Sequence, residues 1–221
     1  GIDLLDQYST GANANNFPIA RRALLDDLLD DPQDSPIGRE YAATLRRSLG
    51  VGESLYAQLE AASGQVSTIF PAGDLADQLK MVARLIKLGR GTLGAQRQVY
   101  FVRFGSFDLH DGMFVGGQPV ATSGHGALLT QLNQALGAFW TALGEIGAQD
   151  DVTTFTMSDF GRTLSGNGNG SDHAWGGNQL VLGGRVDGNK VFGRYPQLRI
   201  DANDNVAQDW SFSRGQYIPT T

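Results

Sequence analysis

Five residues carry the groups best suited to hold a metal ion: Asp108, His110, Asp159, Asp172 and His173. Carboxylate oxygens and neutral imidazole nitrogens are shared ligands of Zn²⁺ and Mn²⁺, and an oxygen-rich set also suits Ca²⁺. Asp108 and His110 stand two apart in FDLHDG, just after an apolar run, and Asp172 and His173 are adjacent beyond the Asn/Gly-rich loop GNGNG. Asp159 follows Val152 to Met157, a β-branched and aromatic run that reads as a buried strand ending in a polar turn. The apolar run Leu180 to Leu182, closed by Gly183 and Gly184, reads as a second strand. The chain has three histidines. A lone loop histidine is ordinarily a surface residue, so it is the grouping of two with three acids that points to a divalent-metal site. His125, in TSGHG at a helix start, reads as a cap or surface group.

Other chemistries fit less well. Ser158 and Ser123 lack the G-x-S-x-G elbow that exposes a nucleophilic hydroxyl. GNGNG lacks the lysine of a phosphate-cradling loop, and no G-x-G-x-x-G opens a helix, so no nucleotide cofactor is expected; a flexible lid or a calcium-binding turn stays open for this loop. Arg162, three residues after Asp159, either pairs with that acid or holds an anion bidentately. The acids Asp26, Asp27, Asp30 and Asp31 read as a solvated, turn-forming face. DANDNVAQD, residues 201–209, has oxygen-rich spacing, but Val206 stands where an EF-hand turn needs glycine, which makes it an exposed loop.

The elements that must position the five residues follow from periodicity. Residues 1–18 read as a loop or arm, and Leu24, Leu25, Leu28 and Leu29 as a short helix stopped by DDPQDSP. Ser35 and Pro36 are an N-cap and first-turn pair for an amphipathic stretch carrying Tyr41, Leu45, Leu49, Leu55 and Leu59; Gly50 and Gly52 divide it into two expected helices. Leu75, Leu79, Val82 and Ile86 mark a helix over about 74–88, and Leu128 to Ile146 a longer one over about 126–146. RQVYFVRF, Arg97 to Phe104, is apolar on both sides of the pleat and reads as a buried strand. Strand, helix and strand over this length imply a right-handed βαβ unit with parallel strands, its carboxyl-end rim carrying Asp108, His110 and Asp159. VDGNKVFGRY, from Val186, reads as a hairpin.

At 221 residues, with 41% hydrophobic and 18% charged residues and 30 glycines, the chain describes one loop-rich globular domain. A net charge of −6 with 17 Lys and Arg supplies no basic face for nucleic acid. There are no cysteines, which removes disulfides, thiolate ligands and a Cys nucleophile. No run approaches the roughly 20 apolar residues of a membrane span.

FDLHDG, HGALLTQLNQALGAFWTAL, TMSDFGRT, GNGSDHAWGGNQLVLGG and VFGRYP together resemble the DUF1501 family, largely uncharacterised bacterial proteins placed with the alkaline phosphatase and sulfatase superfamily. The resemblance covers about residues 74–221. It implies a three-layer α/β/α sandwich with a mostly parallel sheet, here with a helical N-terminal third: a helical and loop segment over 1–73 and a motif-bearing region over 74–221. It also implies a periplasmic or secreted protein, commonly exported through a twin-arginine signal, and metals that polarise a phosphate or sulfate ester in a small anionic or polymeric substrate. Carried over, Asp108 and His110 match the family's G-F-D-T-H, Asp159 its S-E/D-F-G-R acid, and Asp172 and His173 its D-H-G pair. Leu109, Ala174 and Asn178 depart from that pattern, Asn178 standing where relatives often carry another histidine. Arg162 and Asn178 are then anion-binding or supporting residues. Phe160 sits where the superfamily's phosphatases have a histidine, which weakens a two-metal set. The first strand and last helix of relatives have no counterpart here, so a mature or processed portion of a domain is expected, with part of any site either missing from this chain or supplied by a second one. A metal-dependent hydrolase and a catalytically silent binding or assembly protein are the two functions to separate.

Overall fold

The computed structural model describes residues 17–30, 35–61, 64–116, 118, 120–174, 177–193, 205–206 and 216–217. The chain divides into two compact units, one of Gly1–Gln65 with Lys87–Gln96 and one of Val66–Ile86 with Arg97–Thr221. One of the three dividing points, between Ile86 and Lys87, falls inside a helix.

In the first unit, helices α1 (Phe17–Asp30) and α2 (Pro36–Glu60) follow from local signals. Ser35 accepts a hydrogen bond from the Gly38 N–H at 2.9 Å, and Pro36 opens the first turn. The α2 residue Arg46 reaches the Leu29 carbonyl and, at 2.5 Å, the Asp30 carboxylate, satisfying the end of α1. Leu59 and Leu88 are almost completely buried. Gly50 and Gly52 do not divide α2. A helical glycine costs about 1 kcal/mol relative to alanine without removing a backbone hydrogen bond, so packing elsewhere along 25 residues carries the helix through it.

The second unit is built on α3 (Asp74–Arg90, up to Ile86) and α4 (Gly124–Glu145). The expected stripe Leu75, Leu79, Val82 and Ile86 is buried, in one cluster with Phe139, Ala142 and Leu143 of α4. Phe70, Tyr100, Val102, Phe104 and Val152 pack against that cluster from extended segments. The Glu145 carboxylate, at the end of α4, receives the N–H groups of Ser67 and Thr68 at 2.7 and 2.8 Å and the Thr68 hydroxyl at 2.8 Å. The Ser67 backbone bond is the main reason its pKa falls to about 2.

The sheet differs from the expected sandwich. Strands β1 (Thr153–Phe155) and β4 (Val181–Gly183) pair antiparallel, as do β2 (Gly161–Gly166) with β3 (Ser171–Ala174) and β5 (Asn205–Val206) with β6 (Gln216–Tyr217). Among the described residues there is no parallel sheet, hence no βαβ crossover and no three-layer α/β/α architecture. Arg97 to Phe104 is extended but joins no ladder. The Gln78 side chain takes a strand's place: its amide accepts from the Arg103 N–H and donates to the Arg103 carbonyl, both at 2.9 Å. Tyr100, Val102 and Phe104 turn to the core, while Val99 and Phe101 are 98% and 87% exposed. A two-sided apolar run is therefore covered on one side. Val186 to Gly193 also forms no strand, the turn lying at Gly184 and Arg185; residues 1–16 and most of 201–209 lie outside the described residues. No described helix is long and apolar enough to cross a membrane.

Two measurements test this packing. Phe139→Ala should cost about 3–5 kcal/mol in denaturant unfolding, whereas Phe101→Ser should stay within about 0.5 kcal/mol; equal losses would mean that Phe101 is covered. Because the folded pKa of Glu145 lies below its unfolded value near 4.5, its contribution is complete above pH 4.5 and is lost as pH falls toward about 2. The carboxylate is exposed and solvent-screened, so its contribution is about 1 kcal/mol. Glu145→Gln should flatten the stability profile in that window.

Candidate metal centre

The site lies in the second unit, where the chain leaves the extended segment and meets the β2–β3 hairpin. Ser106, at φ 72°, turns the backbone, a left-handed conformation costing roughly 1–2 kcal/mol for a residue with a Cβ. Two tight turns follow, Leu109 N–H to Phe107 carbonyl at 2.9 Å and His110 N–H to Asp108 carbonyl at 3.2 Å. They bring the Asp108 and His110 side chains together, with Asp108 Oδ1 3.1 Å from His110 Nε2.

The hairpin supplies the opposite wall. Arg162 of β2 lies opposite His173 of β3, and cross-strand partners share a face. Both reach Asp108 Oδ1, Arg162 at 2.9 Å and His173 Nε2 at 2.8 Å. The two Nε2 atoms of His110 and His173 are 3.1 Å apart. Asp108 Oδ1, His110 Nε2 and His173 Nε2 thus form a triangle, and these three residues are a set able to hold a metal ion. Their side chains are half open to solvent, at 59%, 48% and 48% exposure. The His173 hydrogen bond, then that from Arg162, and the charges of the two histidines hold the Asp108 carboxyl below its usual range, outweighing partial desolvation.

Each ring is fixed from behind. The Phe160 ring stacks on His173 with centroids 3.7 Å apart and planes 14° apart, and the Arg162 guanidinium lies 5.0 Å from the Phe160 centroid. His110 Nδ1 faces Asp172 Oδ1 at 3.2 Å. Arg162 also donates to the carbonyls of Ser171 at 2.5 Å and Phe107 at 2.8 Å, so its guanidinium is committed within the protein.

Of the residues singled out from sequence, Asp108, His110, Asp172, His173 and Arg162 come together, with Asp172 at the edge of the ligand triangle. Asp159 is exposed in the loop between β1 and β2, outside the triangle. Asn178 lies exposed between β3 and β4. His173 sits on a strand rather than in a loop, and His125 packs edge-on against Phe107 at 5.7 Å. Sequence reasoning passed over Asn167 and Gly170. Asn167 accepts from the Gly170 N–H at 2.9 Å, an Asx-type turn that its place in GNGNG signals. The loop is thereby a hairpin turn seated on the metal-site backbone, with the Asn167 amide donating to the His110 carbonyl at 3.0 Å.

Gly170 is required by close approach. A Cβ there would lie 2.4 Å from the Leu109 oxygen and 2.5 Å from the His110 carbonyl. Gly170→Ala should cost about 1–3 kcal/mol and shift the His110 ring resonances. Gly137→Ala, in open space on α4, should stabilise by up to about 1 kcal/mol. A neutral Gly170→Ala in unfolding and NMR would remove the seated-loop account.

No curated protein and no solved structure matches this chain. The family model described as "Protein of unknown function (DUF1501)" matches residues 35–213, from the Ser35 cap through every residue of the ligand triangle and its surround. With four-fifths of its length matched in this way, the chain belongs to the DUF1501 family.

Proposed function

We propose that Asp108, His110 and His173 hold one divalent cation and that the chain is a metal-dependent hydrolase-like domain for phosphate or sulfate esters. One observation carries the metal reading. His110 Nε2 and Asp108 Oδ1 are 3.1 Å apart, yet while the ring is neutral and Nδ1 donates to Asp172, both atoms are acceptors. No hydrogen lies between them, and a cation relieves that opposition. Bonds of about 2.0–2.1 Å at tetrahedral to octahedral angles put neighbouring donors about 2.8–3.4 Å apart. The edges here, 2.8, 3.1 and 3.1 Å, fall within that spacing, toward its octahedral end.

A bound ion would supply Lewis acidity toward an ester oxygen and lower the pKa of a water. The protein's own part is to hold the ligands. Arg162 aims Asp108 at the histidines, Phe160 fixes the His173 plane, and the open face leaves a coordination position for water or substrate. The second reading is a catalytically silent binding or assembly protein that retains the ion. Arg162 favours it, because a guanidinium already bonded to Asp108, Ser171 and Phe107 is not offered to an anion.

Elemental analysis and zinc or manganese titration of the whole chain separate these readings. One equivalent per chain is expected, with His110→Ala and His173→Ala each weakening binding by at least about 100-fold. Absence of stoichiometric metal would sink both forms of the proposal. Chelator-sensitive turnover of generic phosphate or sulfate esters supports the hydrolase; metal without turnover leaves the binding protein.

A further inference from the structure

We infer that Asp172, pinned by Asn167, is a positioning residue that fixes His110 in the Nδ1–H tautomer and so presents the Nε2 lone pair to the ligand triangle. The inference rests on the metal reading for its purpose and on hydrogen-bond geometry for its substance. Asp172 Oδ1 lies 3.2 Å from His110 Nδ1, and an ionised carboxylate can only accept, so Nδ1 is the protonated nitrogen. A neutral imidazole carries one N–H, which leaves Nε2 bare, 3.1 Å from both Asp108 Oδ1 and His173 Nε2.

The carboxylate is itself held. The Asn167 side-chain amide donates to the same Asp172 oxygen at 3.1 Å and to the His110 carbonyl at 3.0 Å. Its orientation follows from the other end, where Asn167 Oδ1 accepts from the backbone N–H groups of Gly170 at 2.9 Å and Asn169 at 3.4 Å. A backbone N–H cannot accept, so the oxygen must face the turn and the NH₂ must face Asp172. The Asp172 N–H donates to Thr163 Oγ1 at 3.3 Å, fixing the strand from which the carboxylate extends. Asp172 therefore acts behind the ligand rather than as one. Such carboxylate–histidine pairs set which ring nitrogen meets the metal, and losing one costs about 10–100-fold in metal affinity.

The test reads the tautomer without metal. In the metal-free whole chain at mildly alkaline pH, ¹⁵N–¹H spectra of the imidazoles should show His110 protonated at Nδ1, and Asp172→Ala should move the proton to Nε2. Asp172→Asn keeps an acceptor oxygen and should retain much of the Nδ1–H form. Zinc titration should then show a loss of about 10–100-fold for Asp172→Ala and a smaller loss for Asn167→Ala, at unchanged stoichiometry. His110 found as Nε2–H in the unsubstituted protein, or a tautomer indifferent to Asp172→Ala, overturns the inference. So does a change in the number of protein ligands around Co²⁺ on removing Asp172, which would make it a direct ligand. Nδ1–H in a protein that binds no zinc upholds the positioning role and defeats the metal reading alone.

Discussion

Everything at the site depends on Arg162. Its guanidinium, with the side chain only 18% exposed, bonds the Phe107 carbonyl, the Ser171 carbonyl and the Asp108 carboxylate. Two of these oxygens come from the adjacent residues Phe107 and Asp108 and the third from Ser171, more than fifty residues later, and a planar cation with five donors in a fixed fork is suited to joining them. Asp108 gains a fixed position and a charge partner. The turn at Phe107 is tied to β3, and the hairpin is held in the register that brings His173 within 2.8 Å of Asp108. A lysine would carry the charge without the fork of fixed donors.

The two imidazoles are held by unlike devices. His173 is fixed in plane by an aromatic face, His110 by a carboxylate at its rear nitrogen. Stacking restrains a ring without choosing its tautomer, whereas a carboxylate does both. Phe160 thus has a structural role beside the ligands, and its apolar ring blocks that flank from carrying a further ligand. This favours a single ion over a pair. The same ring lies near the Arg162 guanidinium, so the anchor of Asp108 and the anchor of His173 support one another.

What was legible in the sequence was local. The Ser35–Pro36 cap, the stripe Leu75–Leu79–Val82–Ile86 and the helix ending near Ile146 each follow from interactions within a few residues, and each is observed. The pairing of strands was not legible. Arg97 to Phe104 carries the composition of a central strand, but composition does not record that Gln78, on a helix nineteen or more residues earlier, occupies the backbone of Arg103. Nor does it record that Thr153–Phe155 finds its partner at Val181–Gly183. The rule placing ligands at the carboxyl rim of a parallel sheet thus had no sheet to act on. Asp108, His110, Asp172 and His173 meet through a hairpin and two tight turns. Asp159, chosen because it followed a strand, is exposed and stays outside the triangle, while the next residue, Phe160, stacks on His173. Asn167 was overlooked since an asparagine among glycines reads as flexibility, when its amide in fact closes the turn.

On the proposed metal reading, a proton and a cation compete for the same triangle. With His110 Nδ1 engaged by Asp172, the hydrogen available to the three ligand atoms is the one on His173 Nε2, pointing at Asp108 at 2.8 Å. That bond is the main reason the Asp108 carboxyl titrates below its usual range. The metal-free site is therefore already organised around a positive hydrogen at the place where a cation would bind. A cation bound there would require the His173 hydrogen to leave Nε2, as by a shift to Nδ1, and would bring two positive charges, while the anchors at Arg162, Phe160 and Asp172 stay as they are. Preorganisation of this kind limits the rearrangement that binding requires, and it follows from placing the outer contacts on rigid partners rather than on the ligands themselves.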